Sequence, residues 1–284
     1  MAPTSPTVAR WELALRIKRR REELGISVKE ITDHLGFSRN YWSAVENERA
    51  VLAEDKFDGL LRLFKFTDQD ASELRDLRVA ARQRGWWDSS TELDDEMKRF
   101  VGLEQGAVEI RNFESLLIPG LLQTRDYARA YLTSDPMFGA VDVEPLVATR
   151  ERRQGRLDDH DPLRFVTVVS EAALRQQIGV PEIQRQQLKH LATSIRSRPI
   201  ALEFRVLPFT SMPGPLVGSS TLLLMNFASR HLPIVGWQEA IRPLGIIDEP
   251  EQLRRLTIAL DEGLNRSLDK KESLRFIERL IDRI

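Results

Sequence analysis

The sequence predicts a mainly α protein in two parts: a small five-helix domain, then a larger α+β domain. Three observations predict it. Apolar residues recur at helical spacing from Val8 to Ala81, with capping residues between the runs. The stretch Arg84-Gly85-Trp86-Trp87-Asp88-Ser89-Ser90 breaks that period. Beyond it, short β-branched and aromatic runs interleave with helical text without a regular βαβ repeat.

Residues 1–7 are small and Pro/Thr-rich and read as a disordered arm. The first helix begins near Val8, carries Leu13, Ile17 and Leu24 inward, and meets Gly25 where a left-handed C-terminal residue is wanted. Ser27 and Glu30 make a capping-box pattern for a second helix with Val28, Ile31, Thr32 and Leu35 on one face, ended by Gly36. Ser38 caps a third helix reaching about Asn47, held by Trp42 and Val45. Phe57, Leu60, Leu61 and Phe64 give a fourth; Leu74, Leu77 and Ala81, after Thr67, give a fifth. The helical domain thus spans 8–83 and the linker 84–90, where Trp86 and Trp87 read as packing at a joint rather than a ligand cage.

Residues 91–284 form the α+β domain. Helical text covers 91–112, 125–133, 143–157, 181–196, 250–268 and 271–283. Pro119-Gly120 interrupts an apolar stretch from Leu116 to Leu122. Strand text covers 165–169, 201–207, 221–227 and 234–237. The Pro/Gly-rich segment from Pro208 to Gly218 is the kind of loop that borders a pocket.

Composition excludes several classes. The 42 Lys plus Arg against 43 Asp plus Glu describe a near-neutral chain, and no apolar run approaches the roughly 18 residues of a membrane span. The absence of Cys removes thiol nucleophiles, disulfides and Cys-type zinc sites. No basic-then-apolar leader is visible, so a cytoplasmic address is expected. His34, His160, His190 and His231 form no metal-ligand pair and read as surface residues. Asp94-Asp95 and Asp158-Asp159 read as solvated faces or helix ends. No phosphate loop or nucleophile elbow appears, so neither an enzyme nor a cofactor is expected.

Two short capped helices joined by a Gly-containing turn have the geometry in which the second enters a DNA major groove. On the third helix Arg39 can donate two bonds to guanine and Asn40 can pair with adenine, each worth about 1–3 kcal/mol of discrimination. The run Lys18-Arg19-Arg20-Arg21 spreads over all helix faces, so it divides between solvated flank and one or two phosphate contacts.

Gly25-Ile26-Ser27, Leu35-Gly36-Phe37-Ser38 and Val45-Glu46-Asn47 resemble the Cro/cI (XRE) helix-turn-helix, implying a λ-repressor-like domain. Arg84-Gly85-Trp86-Trp87, Gly102-Leu103-Glu104, Ile110-Arg111-Asn112-Phe113-Glu114 and Ile118-Pro119-Gly120-Leu121-Leu122-Gln123-Thr124 resemble the C-terminal domain of WhiJ-like actinobacterial regulators. Asp126-Tyr127-Ala128-Arg129-Ala130, Glu171-Ala172-Ala173-Leu174-Arg175 and Val206-Leu207-Pro208-Phe209 do so too. The resemblance implies a DNA-contact set of Ser27, Ser38, Arg39, Asn40, Ser43, Ala44, Asn47 and Arg49. Asn40, Arg39, Ser43 and Ala44 would read bases, with Asn47 and Arg49 near phosphate.

Two residues depart from that pattern: Val28 stands where Gln is usual, and Glu48 where Gly is usual. Residues 10–50 hold nine Lys or Arg against seven Asp or Glu, a surplus of two, so affinity should need dimerisation. The expectation is a homodimeric, sequence-specific repressor-type regulator of double-stranded DNA. Its C-terminal domain would respond to a small-molecule effector or, as the resemblance suggests, a small neighbour-encoded protein in an antitoxin-like arrangement. The alternative is a protein-interaction module with weakened DNA reading.

Overall fold

The computed structural model describes residues 5–211, 214–216, 218–239 and 243–284. It divides into two compact units. The N-terminal unit holds the described residues up to Ser90 with Ser229–Leu232, and the C-terminal unit holds Thr91–Ala228 and Pro233–Ile284.

The N-terminal unit contains α1 (Pro6–Leu24), α2 (Val28–Leu35), α3 (Arg39–Glu46), α4 (Glu54–Leu63) and α5 (Asp68–Ala81). α1 starts at Pro6 rather than near Val8. Ser5 accepts a hydrogen bond from the Val8 amide, and Pro6 sits at the first helical position, where its fixed φ costs nothing. Residues 5–7 are therefore ordered, and 1–4 lie outside the described residues. Gly25 (φ 65°) and Gly36 (φ 68°) end α1 and α2 in the left-handed region, as their positions predict. Ile17, Ile31, Trp42, Val45, Phe57, Leu60, Phe64 and Leu74 close the core. Each such fully buried large side chain contributes about 1.5–3 kcal/mol. Arg16 is buried within α1 and binds Asp70 at 3.2 Å and Glu73 at 3.1 Å, tying α1 to α5. The 84–90 segment is not a plain linker: Trp86–Ser89 form a 3-10 turn, and Trp87 is buried with its indole N–H donated to Thr7 at 3.3 Å.

The C-terminal unit opens with α6 (Asp95–Gly106) and β1 (Ala107–Glu114). The helical reading of 91–112 fails from Ala107 onward. There Ile110 and Phe113 enter a sheet interior that two neighbouring strands complete, and tertiary pairing overrides local periodicity. α7 (Arg125–Ser134) and α8 (Val143–Gln154) lead to β2 (Arg164–Ser170); α9 (Glu171–Arg175) and α10 (Pro181–Ser197) lead to β3 (Leu202–Leu207). Then follow β4 (Leu222–Phe227), β5 (Val235–Glu239), β6 (Pro243–Ile247), α11 (Pro250–Arg266) and α12 (Lys270–Ile281). α9 and β6 were not expected from the sequence.

The six strands form one mixed sheet in the order β3-β2-β1-β4-β5-β6. β1 pairs in parallel with β2 and antiparallel with β4, placing Ile110 opposite Phe165 and Met225. Successive side chains face opposite sides of a strand. Phe113, Val168, Leu222 and Leu224 pack with Leu253 and Leu260 of α11. Their neighbours Asn112, Glu114, Thr221 and Leu223 take the other side and line a cavity. The sheet thus separates an apolar layer from a layer containing polar groups.

Candidate nucleic-acid interface and ligand cavity

In the N-terminal unit the α2–turn–α3 corner is built from Phe37, which stacks on Trp42 at 6.0 Å and meets Tyr41 edge-on at 5.5 Å. With Trp42 and Val45 buried, α3 turns Arg39, Asn40 and Ser43 outward, and all three are exposed. Ala44 is half-buried, and Arg49 is exposed just past the helix.

Other expected contact residues are already engaged. The Ser38 hydroxyl accepts from the Tyr41 amide at 3.2 Å. Ser27 and Glu30 form a complete capping box, with the Ser27 hydroxyl and amide both donating to the Glu30 carboxylate. The Ser27 hydroxyl, then its amide, hold the Glu30 carboxyl below its ordinary pKa, fixing a negative charge at the α2 N-terminus. The Asn47 amide folds back onto the Ser43 carbonyl at 2.7 Å. Val28 is half-buried against the core, and Glu48 adopts φ 63°, a conformation glycine holds at lower cost.

The basic run resolves by residue. Arg20 donates to the Phe64 and Lys65 carbonyls, satisfying the α4 C-terminus, and Arg21 binds Glu46 of α3 at 2.7 Å. Both are structural; Arg19 is exposed yet donates to the His231 carbonyl at 2.9 Å, and Lys18 is exposed.

A second basic feature was not foreseen. An open groove of about 820 Å³ is lined by Arg10, Arg49, Arg82 and Arg84, with Asp88 as its one lining carboxylate. Arg10 lies 3.7 Å from Asp88. Among the described residues, Arg49, Arg82 and Arg84 form no ion pair, and all three are exposed. Arg49 runs the groove up to the end of α3. Arg82 closes the helical text and Arg84 opens the segment read as linker, and nothing local to either marks a phosphate contact.

In the C-terminal unit a cavity of about 770 Å³ lies between the sheet, α6, α7, α8 and the Leu117–Gln123 turn. None of the described residues of the expected pocket border, Pro208–Gly218, lines it. Leu216 is instead buried against α11, while Met212, Pro213 and Val217 lie outside the described residues. The cavity floor is polar. Arg153 grips Glu104 through two bonds of 2.7 and 2.8 Å, and Glu104 is fully buried. Arg150 donates to Gln123 and lies 5.2 Å from the Tyr131 ring centre. Glu114 accepts from Asn112 at 3.2 Å and from Thr221, and burial pushes its pKa up to about 8. Glu104, Asn112, Glu114, Ile118, Pro119, Gly120 and Gln123 come from the string motifs singled out in the sequence, so that signal did mark this wall.

Asp94 caps α6 and Asp158 pairs with Arg198, as the bland reading of those carboxylates predicts. His34 and His160 are exposed, but His190 and His231 are half-buried. No helix among the described residues is long and apolar enough to cross a membrane.

The N-terminal geometry is that of a helix-turn-helix domain, and a helix-turn-helix domain model matches residues 12–74. This class supports a DNA-binding regulator. The chain belongs to the family described as Domain of unknown function (DUF5753), whose model matches residues 97–279. Neither the curated proteins nor the solved structures contain a match to it.

Proposed function

We propose that the protein is a sequence-specific DNA-binding transcriptional regulator that acts as a homodimer, works by binding rather than catalysis, and is modulated by a small ligand in its C-terminal unit. The observation that carries this reading is the outward face of α3, where Arg39, Asn40 and Ser43 stand clear of a core anchored by Trp42 and Val45. Arg39 and Asn40 have the chemistry to read guanine and adenine edges. The unpaired arginines of the groove supply the phosphate attraction that the small surplus over residues 10–50 lacks. A two-fold dimer would set two α3 helices on half-sites about 34 Å apart. The cavity favours a small effector over a partner protein, because a concave volume of about 770 Å³ with apolar walls and a polar floor suits a molecule of limited size.

The test is a salt titration of DNA affinity with the Arg82→Ala/Arg84→Ala variant. Each phosphate contact contributes about 0.9 to the slope of log affinity against log salt. The double variant should therefore lose a slope of about 1.8, equally on operator and random duplex. Wild-type protein that binds neither duplex would defeat the regulator reading. An unchanged slope in a variant that still binds would remove the groove from it.

A further inference from the structure

The cavity of the C-terminal unit holds two ionisable groups of opposite kind, Arg150 and Glu114, and among the described residues neither has an oppositely charged side chain within salt-bridge distance. Arg153 is neutralised by Glu104. Arg150, three residues earlier on α8, has only the neutral Gln123 side chain and the Tyr131 ring as partners, and no carboxylate lies within salt-bridge distance among the described residues. Across the floor, Glu114 is buried and held by Asn112 and Thr221, both neutral. Glu239, which raises the Glu114 pKa by like charge, takes its hydrogen bond from the Trp237 indole at 3.0 Å. Burial lowers the Arg150 pKa, with Arg153 adding repulsion. Burial thus makes each group less stable in its charged form, and the attraction between them, with that of Glu239 for Arg150, offsets only part of that cost.

On the proposed reading that this unit senses a small effector, we infer that the cavity receives a small zwitterion with an apolar body, a free amino acid or a short derivative of one. Its carboxylate would meet Arg150, and its ammonium group the Glu114 and Glu239 carboxyls, with Glu114 releasing its proton to solvent as the ammonium group arrives. Phe138, Leu132 and Leu146 offer the apolar body a wall. The volume of about 770 Å³ falls within the range of small-molecule sites. A purely anionic ligand would face a lining of six carboxyl groups against two guanidiniums. A purely cationic one would leave Arg150 desolvated and unpaired. A molecule bearing both signs satisfies both groups.

The experiment is calorimetric titration of the full chain, without DNA, with three probes sharing one ring: L-tryptophan, tryptamine and indole-3-propionate. Tryptophan should bind about tenfold or more tighter than either single-charge probe. Arg150→Gln should reduce tryptophan to the tryptamine level without changing tryptamine. Glu114→Gln should reduce it to the indole-3-propionate level. The melting temperature of each free variant checks that the fold is intact. A single-charge probe that matches tryptophan, variants that leave tryptophan unchanged, or no binding by any of the three at millimolar concentration would overturn the proposal. Because DNA is absent, these outcomes are independent of DNA reading. Tryptophan that binds but leaves DNA affinity unmoved would defeat the sensing role while the ligand class stood.

Discussion

The two units handle charge in opposite ways. In the N-terminal unit the candidate functional groups are exposed at the rim of an apolar core, and its buried Arg16 is met by acidic partners. In the C-terminal unit Glu104, Asn112, Glu114 and Thr167 are buried under the sheet, and among the described residues Arg150 and Glu114 there have no oppositely charged side chain within salt-bridge distance. A surface that reads a long external polymer needs projecting donors and little interior polarity. A unit that surrounds a small molecule must carry its polar groups inside, where low dielectric makes each of them costly alone and strong when paired.

The sharpest way to break this contrast is to remove the buried Arg153–Glu104 ion pair on the cavity floor. Arg153→Met leaves Glu104 buried and uncompensated, and denaturant unfolding should show a loss of about 3–5 kcal/mol. A loss below about 1 kcal/mol would mean that water reaches Glu104 freely. In the other unit Arg39→Ala should cost about 1–3 kcal/mol of preference for operator over scrambled DNA with no change in melting temperature, because the side chain is exposed.

A pH series separates the units further. Unfolded Glu114 ionises near 4.5, but burial holds it protonated in the folded chain up to about 8. Glu239 raises its pKa further, while Thr221, Asn112 and Arg150 pull it back. Between those values the folded state binds the extra proton, so this group's contribution to stability falls as pH rises from 4.5 towards 8. Glu114→Gln, which keeps the shape of the protonated carboxyl, should melt above wild type at pH 8, with the gap closing towards pH 5. Parallel melting curves would show that Glu114 does not titrate in this window. The smallest effect is expected at the α3 exit. Glu48→Gly relieves a left-handed side-chain conformation and should stabilise the chain by about 0.5–1 kcal/mol while raising affinity for any duplex.

The sequence made the N-terminal helices legible because each announces itself locally: Ser27 with Glu30, Ser38, Gly25 and Gly36 are side-chain or glycine signals within one turn of the boundary they set. β1 was hidden because its identity depends on β2 and β4, which lie more than 50 and 100 residues away. The same holds for the sites. Arg39 and Asn40 could be named from their place on a capped helix. The groove joins Arg10 to Arg82 and Arg84 across the whole unit and leaves no local pattern, whereas the cavity joins α6 to β5 and only its wall from Glu104 to Gln123 was marked by strings in the sequence. Ser27, Ser38 and Asn47, which the resemblance assigns to DNA contact, each hold a hydrogen bond within their own helix end.

The most direct measurement of the central claim is fluorescence anisotropy of the purified protein on its own upstream DNA and on a scrambled duplex at two salt concentrations. The account predicts tighter binding to the upstream DNA and a steep loss of affinity on both as salt rises. Equal, weak and salt-insensitive binding would contradict it. It would leave α3 as a scaffold for protein contacts, with Val28, Glu30 and Glu48 as the residues that closed it to phosphate.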